Sequence, residues 1–492
     1  MVTGQTRKGF FLQDPKGGET GCSHAVFVFS PDRKPPIDAF VEVHGRVTDF
    51  LLEKTDRPTT QIHAVDTQTL NETGPRLKPV WLTAERIALD NNALAAYLNS
   101  LEGMLVGIKA GATFIAPSNT FGDYVVAPVG TNAMRTKYGG VMIDPDNPDR
   151  WYPSFRIVDY LNAPRVNVGA ELLSPVVGPL NYRVSSYQIA ALGSIRVRPA
   201  STNIRRTKQT PESKRATVLT LNGFNLDTCI EDPSLVQNPR RDIDDDVGDG
   251  RYNMLAVAIA RDAAAPDVVA LQEMQDSDGA QITDVVDAEE NYKKLVKTIR
   301  SVGGPRYRWV DVPPQSGADG GQPGGNIRNA FLYNPERLEI VPGSVQRLGV
   351  DDPAFEDSRK PLIARFRMLS TNRELAIINV HLISKRYQRG IFSPDRPGLD
   401  PRQETRVGQA LLVRDTLLSL AERGINVVST TTLRVISMIS NSVKRFVPCL
   451  GTKTSTLSIA YRAKSVTITT TAASHRHSCT ALFRSNTPMS EE

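Results

Sequence analysis

Hydrophobic and polar positions along the chain fall into two textures. Up to about residue 200 the pattern is short apolar runs with period-two alternation, cut by glycine and proline, as in β structure. Gly9 to Asp14 reads as a strand running into a turn, followed by strands over His24 to Ser30 and Phe40 to Phe50. Small barrels are built from such runs, so residues 1–72 are expected to form a β-barrel. Residues 75–200 continue mainly β, most clearly over Gly103 to Pro117 and Phe121 to Pro128. Asp90 to Leu101 predicts a short helix with Asp90 as N-cap. The polar, basic stretch 201–215 reads as a linker. Its charges Arg205, Arg206, Lys208, Lys214 and Arg215 suit either a solvated segment or a track for phosphates.

From Ala216 the period alternates between two and 3.6, the mark of an α/β layer domain. Thr217 to Asn222 predicts a strand, Tyr252 to Ala263 a helix, and Pro266 to Glu273 a strand that is apolar on both faces. Helices follow over Asn291 to Val302 and Arg402 to Arg423. Further strands are expected over Asn329 to Tyr333, Leu362 to Met368, Glu374 to His381 and Ile425 to Ser429. Residues 312–326, rich in glycine, predict a loop near a ligand.

The 492 residues are enough for about three domains. With 40% hydrophobic and 23% charged residues the composition is that of a soluble globular chain. No apolar run approaches the ~18 residues of a membrane span, and the first residues lack the apolar core of an export signal. The net charge of +6 is compatible with a polyanionic partner. Cys22, Cys229, Cys449 and Cys479 fit no zinc or disulfide spacing and leave the compartment open. Asp242 to Asp249 lacks the spacing of an EF-hand and is expected to be an exposed acidic loop.

Three strand ends carry the chemistry: Thr220-Leu221-Asn222, Leu271-Gln272-Glu273, and Asn379-Val380-His381 continuing to Ser384-Lys385. Ligands of open α/β sheets lie at such ends. In this order, with Asn329 to Pro335 and Ser358 to Leu362 as later strands, the set resembles the endonuclease/exonuclease/phosphatase superfamily. Gly9 to Asp14, Leu101 to Val106 and Asn119 to Gly122 resemble the N-terminal OB-like and intervening β regions of bacterial extracellular deoxyribonucleases. The resemblance implies a multidomain chain whose residues 216–429 form a four-layer αββα sandwich. It implies metal-dependent hydrolysis of nucleic acid phosphodiesters, DNA more than RNA, in an extracellular or periplasmic setting. Glu273 is then the ligand of a divalent metal, Mg²⁺ before Mn²⁺ or Ca²⁺. Asn222 shares in metal and phosphate binding, with Asn225 a nearby competitor. His381 acts in general acid–base catalysis or binds the phosphate, and an imidazole suits either role. Ser384 and Lys385 are candidate phosphate contacts. The alternatives are a non-catalytic nucleic-acid-binding protein and a sugar- or lipid-phosphate phosphatase on the same fold.

The pattern of that superfamily breaks after Val428, where Gly-Asp-Phe-Asn and a later Asp-His pair are expected. No acidic residue stands between Glu422 and Glu491, and about a third of residues 430–492 are Ser or Thr. Displaced by one base, codons for Val466 to Ala473 can decode as Tyr-Asp-Tyr-Asn-Tyr-Ser-Gly, since threonine codons begin AC and alanine codons GC. A frameshift near residue 429 is therefore expected, leaving the domain without its last strands and the activity impaired. The start is expected to be clipped as well, within the first barrel.

Overall fold

The computed structural model describes residues 1–19, 21–52, 57–70, 76–119, 122–142, 150–157, 163–183, 186–200, 206–385, 400–431, 455–462, 465–472 and 479–481, with side chains up to residue 430. Among the described residues the chain divides into two compact units, the first up to residue 200 with residues 400–401, the second over 206–385 and from residue 402 on.

The first unit holds two sheets. One is five-stranded, built from β1 (Val2–Thr6), β2 (Gly9–Gln13), β3 (Ala25–Phe29), β4 (Val41–Phe50) and β5 (Thr59–Thr69) in the order β1-β2-β3-β5-β4, with β3 parallel to β5. The expected barrel does not close. β1 and β4 stand at opposite edges, and the hydrogen bonds Val2 N to Ala39 O (2.8 Å) and Asp38 N to Val2 O (2.9 Å) meet the chain before β4 begins. A five-residue β1 is too short to pair along β4, which instead runs its whole length against β5. The other sheet is nine-stranded. Its strands are β6 (Val80–Trp81), β7 (Leu105–Ile108), β8 (Thr113–Phe114), β9 (Asp123–Ala127), β10 (Ser154–Ile157), β11 (Glu171–Leu172), β12 (Val176–Arg183), β13 (Ser186–Ala191) and β14 (Val197–Arg198). The expected strand over Gly103 to Pro117 is thus two strands, β7 and β8, with a turn at Gly111, whose φ of +88° suits a residue without a Cβ. Helix α1 (Asn91–Ser100) starts where expected: the Asp90 carboxylate accepts from Asn92 N and Ala93 N, each at 3.0 Å. The linker expectation falls partly on residues 201–205, outside the described residues.

The second unit is layered. One sheet has the order β17-β18-β16-β15-β26, from β15 (Val218–Leu226), β16 (Val268–Met274), β17 (Arg308–Asp311), β18 (Arg328–Tyr333) and β26 (Cys479–Ala481). The other has the order β19-β21-β22-β23-β24-β25, from β19 (Leu338–Ile340), β21 (Leu362–Met368), β22 (Glu374–Val380), β23 (Asn426–Thr431), β24 (Ser455–Arg462) and β25 (Ser465–Ala472). The short β20 (Gln346–Arg347) pairs with β21. Strand alternation sorts the core into three slabs. Val268 and Ala270 of β16, Phe331 of β18 and Ile377 of β22 meet between the sheets. Val269 and Leu271 point outward, against α3 (Arg251–Val257) and α4 (Glu289–Ser301). Ile378 and Val380 pack on the far side against α5 (Gln403–Glu422). The layers run helix, sheet, sheet, helix. The short α2 (Pro239–Asp242) lies in the loop after β15, and the helix expected over Tyr252 to Ala263 is α3 continued by a π-helical turn, Ala258–Asp262.

The sheets are not cut short at residue 429, contrary to the sequence reading. β24 pairs with β23, β25 with β24, and β26 with β15. Runs such as Val466-Thr467-Ile468-Thr469 are β-branched and suit a strand, and this one pairs with β24, which itself extends the edge of β23. The shortage of carboxylates in this tail stands regardless of its backbone. Among the described residues no helix is long and apolar enough to cross a membrane.

Candidate active site

The inner faces of the two sheets change character toward the C-terminal ends of β15, β16 and β22. Below lies the apolar slab. Above it Thr220, Gln272 and Asn379 form a buried polar layer. The Gln272 amide nitrogen donates to Thr220 Oγ1 (3.2 Å) and to Asn379 Oδ1. The Asn379 amide nitrogen donates to Leu271 O (2.7 Å) and Ala330 O (2.9 Å), so a side chain of one sheet binds the backbone of the other.

One step further along each strand stand Asn222, Glu273 and His381. Simple alternation would send Glu273 toward the helices with Val269 and Leu271. A bulge prevents this. Leu271 pairs with Ala330 and Met274 with Arg328, so Gln272 and Glu273 together oppose Asn329. On the other flank Asn222 pairs with Gln272 and Leu226 with Met274, so three residues of β15 oppose Glu273. Phe224, Asn225 and Glu273 have φ of +61°, +58° and +54°, the left-handed region that costs a non-glycine residue about 1–3 kcal/mol. The bulge thereby re-aims the Glu273 carboxylate into the space between the sheet ends.

There Glu273 Oε1 lies 3.3 Å from His381 Nε2. Asn222 donates a side-chain hydrogen bond to the same carboxylate, while its Oδ1 accepts from Phe224 N at 2.7 Å. The structure thus brings Asn222, Glu273 and His381 together. Burial raises the pKa of Glu273, opposed by Asn222, Arg359 and Arg251. Burial also holds His381 well below the usual imidazole range, and the Arg359 guanidinium adds to this. Although Nε2 faces a carboxylate, the ring is 7% exposed and also lies 3.5 Å from Arg359 Nη2, so the neutral form is favoured. His381 Nδ1 has no hydrogen-bond partner.

Asn225 is committed elsewhere: its amide donates to Gln322 Oε1 at 2.5 Å. That contact, with the bond from Asn326 Nδ2 to Asp276 Oδ2 (2.8 Å), lays the glycine-rich 312–326 loop against the ends of β15 and β16. Ser384 is exposed, and its hydroxyl accepts from Arg402 Nη1 at 3.3 Å. Lys385 is half-buried on the same segment.

Arg359 escaped the sequence reading. It is 6% exposed, donates to Leu382 O at 3.2 Å and leaves Nε without a partner. A basic residue immediately before the apolar strand Leu362 to Met368 was the available signal. The expected exposed acidic loop is also corrected. Asp242 and Asp246 are buried, because Asn238 N donates to Asp242 (2.8 Å), Asp227 N to Asp246 (3.3 Å), and Arg251 pairs with Asp246 at 2.7 Å.

Glu273 offers a hard oxygen donor, while Asn222 turns its amide nitrogen to that carboxylate and orients it, its own oxygen being held by Phe224 N. Mg²⁺ takes one or two carboxylates and completes its shell with water and substrate phosphate, so Glu273 fits it. A cation beside Glu273 would also relieve the cost of burying that carboxylate.

No curated protein matches the chain. Residues 54–200 match a family described as a domain of unknown function, DUF8508. Among solved structures the chain is similar to an endonuclease/exonuclease/phosphatase from Bacteroides vulgatus at 15% identity and a TM-score of 0.28, over 46% of this chain and 71% of that one. It is similar to a mannosyl-6-phosphatase from Bacteroides thetaiotaomicron at 15% identity and 0.26, over 46% and 70%. It is similar to D. rerio TDP2 complexed with a single-strand DNA product at 16% identity and 0.26, over 46% and 64%. The match covers about two-thirds of the length of these proteins.

Proposed function

We propose that the second unit is a divalent-metal-dependent hydrolase of nucleic acid phosphodiesters, DNA before RNA, attenuated in this chain. The convergence of Asn222, Glu273 and His381 on a bulge at the sheet ends is the observation that supports it most. Glu273 holds the ion, and Asn222 fixes the rotamer of its carboxylate. The ion, when bound, supplies Lewis-acid polarisation of the phosphoryl group. His381, neutral and beside the carboxylate, takes the proton of the attacking water at a ring nitrogen and returns a proton to the leaving oxygen as the P–O bond breaks. Arg359 offers fixed positive charge to the non-bridging oxygens in a site where water is scarce. The basic net charge suits a polyanion, and the setting we propose is extracytoplasmic.

The attenuation follows from the tail, whose strands carry no Asp or Glu to complete the charge set. The tail thus adds neither a second carboxylate for the ion nor an acidic group to orient the base, and groups that act as one unit fail together. The same tail supports a second reading, a nucleic-acid-binding protein without turnover. Plasmid nicking by the purified chain with Mg²⁺ or Mn²⁺ tests both. Slow nicking that stops in EDTA is the expected result. Cleavage untouched by EDTA would remove the metal-dependent reading. Tight DNA binding with no nicking would transfer support to the second. A phosphomonoester hydrolysed faster than DNA would instead favour a phosphatase.

A further inference from the structure

A second group of carboxylates lies in the loop between β15 and α3, apart from Glu273. One oxygen each of Asp227, Glu231 and Asp244 falls within 4.8 Å of the others, close enough for the three to share one cation. Asp227 is 0% and Glu231 3% exposed, while the Asp244 side chain, 40% exposed, opens the group to solvent. Among the described residues Arg251 pairs with Asp244 (3.5 Å) and Asp246 (2.7 Å), and no basic side chain pairs with Asp227 or Glu231. Burying two such carboxylates without a counter-charge is costly.

Two further observations point to an occupant. The Tyr252 hydroxyl is 98% buried, has no hydrogen-bond partner, and lies in the field of Asp227 and Asp246. At Gly279 a Cβ would come 2.5 Å from Glu231 Oε1 and 3.1 Å from Asp227 Oδ1, so the chain keeps the space beside these oxygens clear. The carboxylates are also held in place. Cys229 N donates to Asp227 Oδ1 (2.8 Å), Ala280 N to Glu231 Oε1 (3.1 Å) and Asp244 N to Glu231 Oε2 (3.2 Å). Burial, then the charge of Glu231, pushes Asp227 up to about 8, so a bound proton is the competing way to neutralise the group.

We propose that Asp227, Glu231 and Asp244 bind a calcium ion that is separate from the candidate active site. The donors are all oxygen, which selects a hard cation, and three protein carboxylates suit Ca²⁺ better than Mg²⁺, which binds through one or two and keeps several waters. The ion would pin the loop that leaves β15. Arg251, which touches this group through Asp244, also donates to Phe224 O at 2.7 Å, next to the bulge that carries Glu273. Calcium therefore organises one wall of the active site without entering it.

The test uses the full chain stripped with chelator, then given Ca²⁺ alone. The melting temperature should rise by roughly 5 °C or more at about a hundred times Kd. Terbium should bind competitively with Ca²⁺, and its luminescence should be excited through tyrosine. Asp244→Asn, at the solvent rim, should weaken both signals at least tenfold. Asp227→Asn with Glu231→Gln should abolish them while raising the melting temperature of the metal-free chain, since the repulsion is gone. Glu273→Gln should keep both signals intact even where hydrolysis is lost, so this site and the proposed catalytic one fail separately. No response to Ca²⁺, an equal response in Asp244→Asn, or an equal shift with Mg²⁺ would overturn the assignment.

Discussion

Glu273→Gln is expected to reduce metal-dependent hydrolysis by roughly 10³-fold, the equivalent of about 4 kcal/mol of lost charge stabilisation. The substitution keeps shape and removes one negative charge from a recess that contains Arg359 and His381. Folding should survive it, because burial already disfavours the charged form of this carboxylate. His381→Ala should cost roughly 10²–10⁴-fold. Because both groups act on the same reacting phosphate, the double variant should be little worse than the poorer single one. Single-turnover nicking rates, read beside melting temperatures, measure this. Near-normal rates in both single variants would place the active site elsewhere.

Asn379→Leu is expected to be the most damaging substitution for stability. Leucine is close in size, yet it removes the side-chain donor to the carbonyls of Leu271 and Ala330 in a fully buried layer, while Gln272 keeps Thr220 Oγ1 and Ala270 O as acceptors. Each such group costs about 1–3 kcal/mol unpaired, so a loss of about 3 kcal/mol or more is expected, or roughly 6–12 °C for a unit of this size. The effect should reach the chemistry, since Gln272 is the neighbour of Glu273 and Asn379 lies two positions before His381. Calorimetry of the second unit's transition gives the answer. A loss below about 1 kcal/mol would mean that the polar layer does not fasten the sheets.

What the sequence disclosed and what it withheld follow from the range of each interaction. The ends of β15, β16 and β22 were legible because each is an apolar run closed by a polar residue, a local signal. The alternation of periods made an α/β layer domain legible, and the four layers were expected only from the resemblance. The role of Asn379 and Gln272 was not, since it exists only once two sheets face each other. The Asp227, Glu231 and Asp244 group was hidden for the same reason: its members are spread along a loop with no period, and local polarity suggested exposure. Arg359 reads as an ordinary basic residue until the fold buries it. Barrel closure in the first sheet depends on pairing two distant edges, which strand patterns alone do not specify. The tail shows the converse. Its β-branched residues favour strands wherever an edge is open, and this local tendency says nothing about whether the strands bring the carboxylates a catalytic site needs.

The left-handed backbone of Glu273 has a consequence for the history of the chain. Any side chain is a poor choice at φ +54°, and glycine would be the comfortable one. Glu273→Gly should therefore stabilise the fold by up to about 1 kcal/mol while destroying the site, an outcome that a melting curve and a nicking assay would show together. Once a protein stops being useful, mutation is free to settle such tensions in favour of comfort. This position has not settled. A carboxylate held in an unfavourable pose, beside a tail that carries no acids, is what a site that depends on that one charge would keep.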